Sequence, residues 1–129
     1  MPRFSIRSQK KLETCHVDLQ DIMNEVIKHL DITILCGHRS KGAQNAAYYE
    51  KRSQLRWPKS CHNTCPSMAV DVAPFPLNWD DLARFVEMAK LVFKVADEKG
   101  IKIEWGGSWK TFKDFPHFEL VTEAKNEKI

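Results

Sequence analysis

The sequence predicts a single α+β domain in which helices flank a small, mostly antiparallel sheet. Amphipathic patterns indicate helices, and short β-branched or alternating runs between them indicate strands. The order of these elements does not require parallel crossovers throughout, which favours α+β over α/β. With 129 residues, 43% of them hydrophobic, the chain is long enough to bury one core. We therefore expect residues 1–129 to form one domain without a second module.

In the first half of the chain, the predicted order is helix, strand, helix and loop. Residues 18–30 place apolar side chains at helical spacing, with Asp18 as the N-cap. The β-branched run Ile32–Cys36 predicts a buried strand that ends at Gly37. Ser40 can cap a helix that continues to about Arg52. Residues 53–66 contain two prolines and few apolar residues, so they indicate an irregular loop.

In the second half, a long helix separates three predicted strands. Residues 68–72 predict a strand closed by two later prolines, and a helix opens at residues 79–81 and ends at Gly100. Residues 101–105 and 117–121 alternate as half-buried strands do. The tail, residues 123–129, is polar and is expected to fray.

Charge and hydropathy narrow the classes of protein. The 20 basic and 17 acidic residues give a net charge of +3, and the basic residues are spread along the chain with local clusters such as residues 7–11. Nucleic-acid binding is disfavoured, because it usually needs a concentrated basic face, whereas contact with an anionic polymer or surface is compatible. No apolar run approaches a membrane span of roughly 18 residues, and the N-terminus lacks the apolar core of a signal peptide. We expect synthesis in the cytoplasm, no stable membrane insertion and four free cysteines.

The stretch SCHNTCPSMAVD, residues 60–71, contains candidate metal ligands, and His117 adds another far along the chain. Asp71 lies between Val70 and Val72 in a predicted strand, where a buried carboxylate without a partner is costly. Metal ligation would remove that cost. A zinc site needs three or four such groups around one ion, and His62, Asp71 and His117 could supply three.

Other polar residues accompany these candidates at strand ends. Asp114 precedes His117 by three residues and could act as a general base, although it could also belong to a polar turn. Arg39 emerges at the end of a buried strand, a common location for functional groups. Gln44 faces the same side only if its helix turns back over the site. Glu119 shares a strand face with His117.

These motifs together resemble a known family. The zinc peptidases of the D-alanyl-D-alanine carboxypeptidase type are similar in four motifs: Ser60-x-His62, Ala69-x-Asp71, Trp105-Gly106-Gly107 and Asp114-x-x-His117-Phe118-Glu119. They belong to a broader group that also includes lysostaphin-type enzymes and the Hedgehog signalling domain. The segment Gly37-His38-Arg39-Ser40, followed by Gln44, is similar to the arginine-bearing segment of that family. The resemblance spans roughly residues 32–120.

The resemblance implies a zinc ion held by His62, Asp71 and His117, with Asp114 as the catalytic base and Arg39 positioning substrate or stabilising the transition state. Ser60, Gln44 and Glu119 are then expected to contact substrate or to support the ligands. A small chain of this kind resembles bacteriophage endolysins that cut the L-alanyl-D-glutamate bond of bacterial peptidoglycan and reach the wall through a holin. We expect a monomeric catalytic domain with no separate wall-binding domain.

The chain departs from the family pattern in one loop, and other functions stay open. Asp71 lies two positions further from His62 than is usual, and Ser67 stands where the family has glycine. A D-alanyl-D-alanine carboxypeptidase or dipeptidase and a non-catalytic zinc-containing binding domain are the alternative functions. Cys61 and Cys65 could join His62 and His117 in a closed Cys2His2 site, or Cys61 and His117 could form a thiol peptidase pair, but the first leaves Asp71 and Asp114 unexplained.

Overall fold

A single antiparallel sheet organises the protein. Its strands are β1 (Ile32–Cys36), β2 (Ala69–Pro74), β3 (Ile103–Trp105) and β4 (His117–Leu120). They lie in the order β1–β2–β4–β3 in the computed structural model, which describes residues 2–110 and 113–121. The predicted α+β class with an antiparallel sheet is confirmed. The polar tail, residues 123–129, lies outside the described residues, so its expected fraying stays a prediction.

Four α-helices accompany the sheet, and each of these four begins with a side-chain cap. The helices are α1 (Ile6–Leu12), α2 (Val17–Val26), α3 (Lys41–Tyr49) and α4 (Leu82–Lys99), and short 3-10 turns occupy Cys61–Asn63 and Gly106–Ser108. Cap side chains accept hydrogen bonds from backbone N–H groups that a helix start leaves unpaired. The caps of α1 to α4 are Ser5, His16, Ser40 and Asp81.

The observed elements differ from the predicted ones mainly at their ends. Helix α2 begins earlier than predicted, because the imidazole of His16, rather than Asp18, caps it. Helix α3 ends at Tyr49, before the predicted limit at Arg52. Strand β2 continues through Pro74 instead of ending at Val72. Helix α1 was not predicted at all.

The core lies between the sheet and the helices α2 and α4. These two helices pack against each other, and α4 packs against β2 and β3. Val70 and Val72 of β2 and Phe118 of β4 are buried in this core. Because side chains alternate across a strand, Asp71 and His117 project from the opposite face of the sheet. The fold therefore separates an apolar face from a polar one, and the candidate ligands lie on the polar face.

The described helices give no candidate for a membrane-spanning segment, since none is long and apolar enough.

Candidate active site

The register of the sheet brings three polar side chains into one row. Asp71 pairs directly with His117 across β2 and β4, and Cys36 of β1 pairs with Asp71 from the other side. Directly opposed residues of antiparallel strands have side chains only about 4.5–5.5 Å apart at Cβ. Residues far apart in the chain, such as Asp71 and His117, thus meet because of strand pairing.

His62 reaches this row from a 3-10 turn that a reciprocal cap holds in place. The Ser60 hydroxyl accepts a hydrogen bond from the His62 N–H (3.2 Å), and the Asn63 side-chain oxygen accepts one from the Ser60 N–H (3.0 Å). The carbonyl of His62 also accepts a hydrogen bond from the Arg39 N–H (2.8 Å). The His62 ring is 2% exposed. Ser60, a predicted support residue, therefore fixes the turn that carries His62.

The three candidate ligand atoms form a nearly equilateral triangle. Nε2 of His62 lies 3.2 Å from Oδ1 of Asp71 and 3.3 Å from Nδ1 of His117, and the distance from Nδ1 of His117 to Oδ1 of Asp71 is also 3.2 Å. The structure thus brings together all three residues that the family resemblance assigned to a metal.

Hydrogen bonds on the far side of each ring leave the inward nitrogens with free lone pairs. Nδ1 of His62 donates to the carbonyl of Gly37 (2.7 Å), which can only accept. Nε2 of His117 donates to Oε1 of Glu119 (2.8 Å). Both inward nitrogens can then act as metal ligands, because neutral imidazole binds metals through its unprotonated nitrogen. Gly37 and Glu119 consequently determine which tautomer each histidine adopts.

This donor set fits a divalent metal ion. A tetrahedral site with bonds of about 2.0–2.2 Å keeps its ligand atoms about 3.3–3.6 Å apart, close to the separations in the triangle. Two imidazole nitrogens and a carboxylate oxygen are typical ligands of a zinc site that keeps one position open for a substrate. Without a cation, three electron-rich atoms at this distance repel one another. The geometry and the chemistry of His62, Asp71 and His117 are therefore compatible with a metal.

The pKa values of His62, Asp71 and His117 indicate that these three side chains, called the cluster, favour a positive charge among them. Burial alone would lower the pKa of His62, but the hydrogen bond and charge of Asp71 outweigh it and raise the pKa to about 10. Burial also opposes the charged form of His117, whose pKa is nevertheless raised by hydrogen bonds with Asp71 and Glu119. Burial would raise the pKa of Asp71, yet hydrogen bonds from both histidines hold that pKa far below its usual range. The cluster attracts a cation, whether a proton or a metal ion.

Asp114 stands beside the triangle rather than within it. Its Oδ2 lies 3.9 Å from Nδ1 of His117, and its backbone N–H donates to the carbonyl of Gly106 (3.0 Å). A side chain at Gly106 would collide with the backbone oxygen of Asp114, so only glycine permits this close approach. Burial first, and then the charge of Asp71, raise the pKa of Asp114 to about 6. A carboxylate with a pKa near neutrality is suited to accept and return a proton.

Arg39 and Gln44 form a connected pair next to Asp71. Nη2 of Arg39 lies 3.4 Å from Oδ2 of Asp71, and its Nη1 donates to Oε1 of Gln44 (3.0 Å). Gln44 is fully buried, and its hydrogen bond to Arg39 shows that this side of α3 faces the site. Oε1 of Gln44 also accepts from Nδ2 of Asn63 (3.2 Å), so the amide links Arg39 to the turn that carries His62.

Cys36, rather than Cys61 or Cys65, lies beside the candidate ligands. Cys65 is exposed, and Cys61 donates from Sγ to Oε2 of Glu119 (3.4 Å). Among the described residues, the possible metal-binding groups contain neither of them, so nothing here supports the closed Cys2His2 alternative. Cys36 instead groups with His62 and Asp71. Burial would raise the pKa of the Cys36 thiol, but the hydrogen bond with His62 and the charges of His62 and Arg39 lower it.

A cavity of about 670 Å³ opens over the candidate ligands. It exposes Asp71, Asp114 and His117 to a bound molecule, and Trp79 and Trp109 contribute aromatic walls. The Trp109 ring centroid is 5.0 Å from that of His117. The sequence-based reasoning assigned no role to these tryptophans or to Cys36, and only the sheet register and the loop positions reveal them.

Comparisons with known proteins agree with this architecture. The family model described as phage L-alanyl-D-glutamate peptidase matches residues 1–122. The L-alanyl-D-glutamate peptidase of Escherichia phage T5 is 32% identical over 126 residues, covering 92% of this chain and 88% of the relative. The peptidoglycan L-alanyl-D-glutamate endopeptidase CwlK of Bacillus subtilis is 30% identical over 116 residues, covering 73% of this chain and 63% of the relative.

A solved structure agrees as well. The crystal structure of the L-Ala D-Glu endopeptidase ChiX of Serratia marcescens matches with a TM-score of 0.80 and 33% identity, covering 92% of this chain and 90% of that one. The chain therefore belongs to the phage L-alanyl-D-glutamate peptidase family.

Proposed function

We propose that this protein is a zinc-dependent peptidoglycan endopeptidase that hydrolyses the L-alanyl-D-glutamate bond of stem peptides. The single observation that carries the zinc proposal is the triangle of lone-pair atoms on His62, Asp71 and His117, with sides of 3.2, 3.2 and 3.3 Å. The bond specificity rests on the named activities of three relatives that match most of this chain.

His62, Asp71 and His117 would hold the ion, and Gly37 and Glu119 would orient the two imidazoles. When bound, the ion supplies a Lewis acid that polarises the scissile carbonyl and makes the attacking water more acidic. The two oxygens of the Asp71 carboxylate have different partners, since Oδ1 faces the two histidines and Oδ2 faces Arg39.

Asp114 would move the proton during hydrolysis. As carboxylate it accepts a proton from the water that attacks the carbonyl carbon of L-alanine. It then donates that proton to the amide nitrogen while the carbon–nitrogen bond breaks. The products are an L-alanine carboxylate and a free amine on D-glutamate, and Asp114 returns to its starting state.

Arg39 would supply positive charge on the cavity wall, where it can stabilise the developing oxyanion or bind a substrate carboxylate. Gln44 and Asp71 hold its guanidinium from two sides, which limits the reorganisation needed during the reaction. Ser60 acts indirectly, by fixing the turn of His62.

Because the proposed substrate is peptidoglycan, the protein acts at the bacterial cell wall. Holin-dependent release and action as a monomeric catalytic domain are parts of the same proposal, and they rest on the resemblance to phage endolysins.

Mass spectrometry of digested peptidoglycan tests the function. We expect fragments that end in an L-alanine carboxylate on the glycan side and begin with D-glutamate on the peptide side. Release of D-alanine alone would identify a carboxypeptidase instead. Absence of any cleavage by the zinc-loaded protein, with Asp114→Asn as the matched inactive control, would favour a non-catalytic binding domain.

A further inference from the structure

One segment beside the active-site cavity is rich in basic residues and poor in acidic ones. Residues 41–59 contain five of the 20 Lys and Arg residues but only one of the 17 Asp and Glu residues. This segment alone therefore has a net charge of +4, more than the +3 of the whole chain. Its single acidic residue, Glu50, pairs with Arg52 at 2.7 Å. The other four cations point to an anionic partner.

Aromatic rings are interleaved with these cations on the surface. The guanidinium carbon of Arg56 lies 4.9 Å from the ring centroid of Tyr48 and 5.2 Å from that of Tyr49. The Lys41 ammonium lies 5.5 Å from the ring centroid of Trp57. These five residues, Lys41, Tyr48, Tyr49, Arg56 and Trp57, form what we call the tyrosine–arginine surface. Tyr48, Tyr49 and Trp57 are 36%, 68% and 39% exposed, so their rings are available to a partner.

The loop that carries Arg56 and Trp57 is fixed to α3. Nε2 of Gln44 donates to the carbonyl of Leu55 (2.6 Å) and to the hydroxyl of Ser53 (3.0 Å). The Trp57 N–H donates to the side-chain oxygen of Asn45 (3.1 Å). The aromatic and cationic groups are thus held in place before binding, which lowers the entropic cost of forming a complex.

The tyrosine–arginine surface is continuous with the active-site cavity. A shallow groove beside the surface is lined by Tyr48, Tyr49, Ser53 and Gln54, and Ser53 and Gln54 also line the cavity over the candidate metal ligands. A polymer bound at the catalytic residues can therefore continue along the groove to the tyrosine–arginine surface and stay in contact with the protein throughout.

We propose that the tyrosine–arginine surface binds the peptidoglycan glycan strand to which the stem peptide in the cavity is attached. This inference rests on the proposed function. L-alanine is the residue that joins the stem peptide to the sugar, and one extended residue spans only about 3.3–3.6 Å. Cleavage after L-alanine therefore requires the strand to pass close to the cavity.

The chemistry of the strand matches that of the surface. Sugar rings have apolar C–H faces that pack on aromatic rings, and Tyr48, Tyr49 and Trp57 provide such rings. Neighbouring stem peptides carry free carboxylates, which Lys41 and Arg56 can pair with. Cation–π contacts with both tyrosines and a hydrogen bond from Nη2 of Arg56 to the Tyr49 hydroxyl hold the guanidinium in place.

Kinetics on two soluble substrates test this proposal. One is a soluble oligomer of disaccharide pentapeptide units, which carries neighbouring stem peptides and is called the disaccharide pentapeptide for short, and the other is the free pentapeptide without sugar. We expect Tyr49→Ala and Arg56→Ala each to lower kcat/KM on the disaccharide pentapeptide about tenfold, typical of losing an interface anchor, and to leave the free pentapeptide unchanged. Arg56→Lys should lower kcat/KM less than Arg56→Ala does, because lysine keeps the positive charge but not the planar guanidinium. Phe75→Ala and Lys94→Ala are controls that remove an exposed aromatic ring and an exposed cation elsewhere.

Binding to intact walls provides a second measurement. In an Asp114→Asn background, which should not degrade the wall, co-sedimentation with purified sacculi should weaken about tenfold in the Tyr49 and Arg56 variants and with added salt. Thermal unfolding of each variant shows that it is folded. Because Tyr49 is 68% exposed, Tyr49→Ala should fold normally, and it tests the proposal even if Arg56→Ala is unstable.

The outcomes separate this inference from the proposed function. If the zinc-loaded wild type cleaves neither substrate, the proposed function fails. If the wild type cleaves both substrates, the proposed function stands. The glycan-binding proposal is then wrong if the surface variants lose activity equally on the two substrates, or lose none on either. Binding to phosphatidylglycerol vesicles that Arg56→Ala abolishes, with unchanged kinetics on the disaccharide pentapeptide, would assign the surface to a membrane and overturn the proposal.

Discussion

The hydrogen bond between Glu119 and His117 offers a sharp test of the metal site. Nε2 of His117 donates to Oε1 of Glu119 over 2.8 Å, and the two side chains are 7% and 8% exposed, so water cannot readily replace the bond. Glu119→Ala removes the acceptor and leaves a buried N–H without its partner. Loss of such support typically weakens metal binding about 10–100-fold, or about 1.4–2.8 kcal/mol. The unpaired donor should also lower the free energy of unfolding of the metal-free protein by about 1–3 kcal/mol.

Competition for zinc against a chelating dye measures the affinity, and urea unfolding of metal-free protein measures the stability. Glu104→Ala is the matched control, because Glu104 pairs with Glu119 across β3 and β4 and lines the same cavity. That change removes a negative charge from the cavity but keeps the hydrogen bond to His117. Unchanged zinc affinity in Glu119→Ala would refute the supporting role of Glu119. Equal losses in both variants would show that the charge of the cavity, rather than the hydrogen bond, supports the metal.

Three further predictions concern the remaining parts of the site. Asp114→Asn should keep zinc and lower turnover about 10²–10⁴-fold, as expected for a general base, whereas His117→Ala should lose both zinc and turnover. Metal analysis and a cleavage assay measure the two properties, and equal zinc loss in both variants would reject Asp114 as a base. Gly106→Ala should lower turnover and the free energy of unfolding, the latter by about 1–3 kcal/mol, because the new Cβ displaces Asp114. Kinetics and thermal unfolding measure the two effects, and a fully active, stable variant would contradict the close approach of Gly106 and Asp114. Replacing Cys61 and Cys65 together by serine should preserve zinc content and activity, and zinc loss in that variant would revive the closed site.

Much of the fold follows from local patterns, but helix α1 does not. Its seven residues include only two apolar ones, so no amphipathic stripe marks it. The structure shows why it forms: the buried hydroxyl of Ser8 contacts the hydroxyl of Thr33 and accepts from the N–H of Ile34, both at 3.1 Å. A contact with a strand 26 residues away stabilises this helix, and sequence periodicity cannot detect such a contact.

The ligand candidates could be chosen from the sequence, but their arrangement could not. An aspartate between valines and a histidine at a strand start are local features, and both drew attention to the site. The role of Cys36 in the row depends on the register of β1 with β2, which includes an irregularity between Ile34 and Cys36. A shift of one residue would turn the cysteine to the other face of the sheet.

The linear sequence does not reveal which basic residues lie beside aromatic rings on the surface. Their spread along the chain disfavours nucleic-acid binding and is compatible with contact with an anionic polymer or surface. Folding brings Lys41 of α3 to Trp57 and Arg56 to the tyrosines at the end of that helix. Side-chain contacts between a helix and the loop after it create the concentrated surface, and no spacing rule predicts them.

Gln44 limits how far the active-site surroundings of this protein can be exchanged. Its oxygen accepts from Arg39 and Asn63, and its nitrogen donates to Ser53 and Leu55, so all four bonds of one buried amide are in use. A loop transplanted from a relative in place of residues 53–59 must offer a hydroxyl and a carbonyl at the same two points. A graft that lacks them leaves the amide nitrogen unpaired and removes the bonds that keep the amide oxygen turned toward Arg39, so recombination between family members should succeed best when helix α3 and its loop are moved as one block.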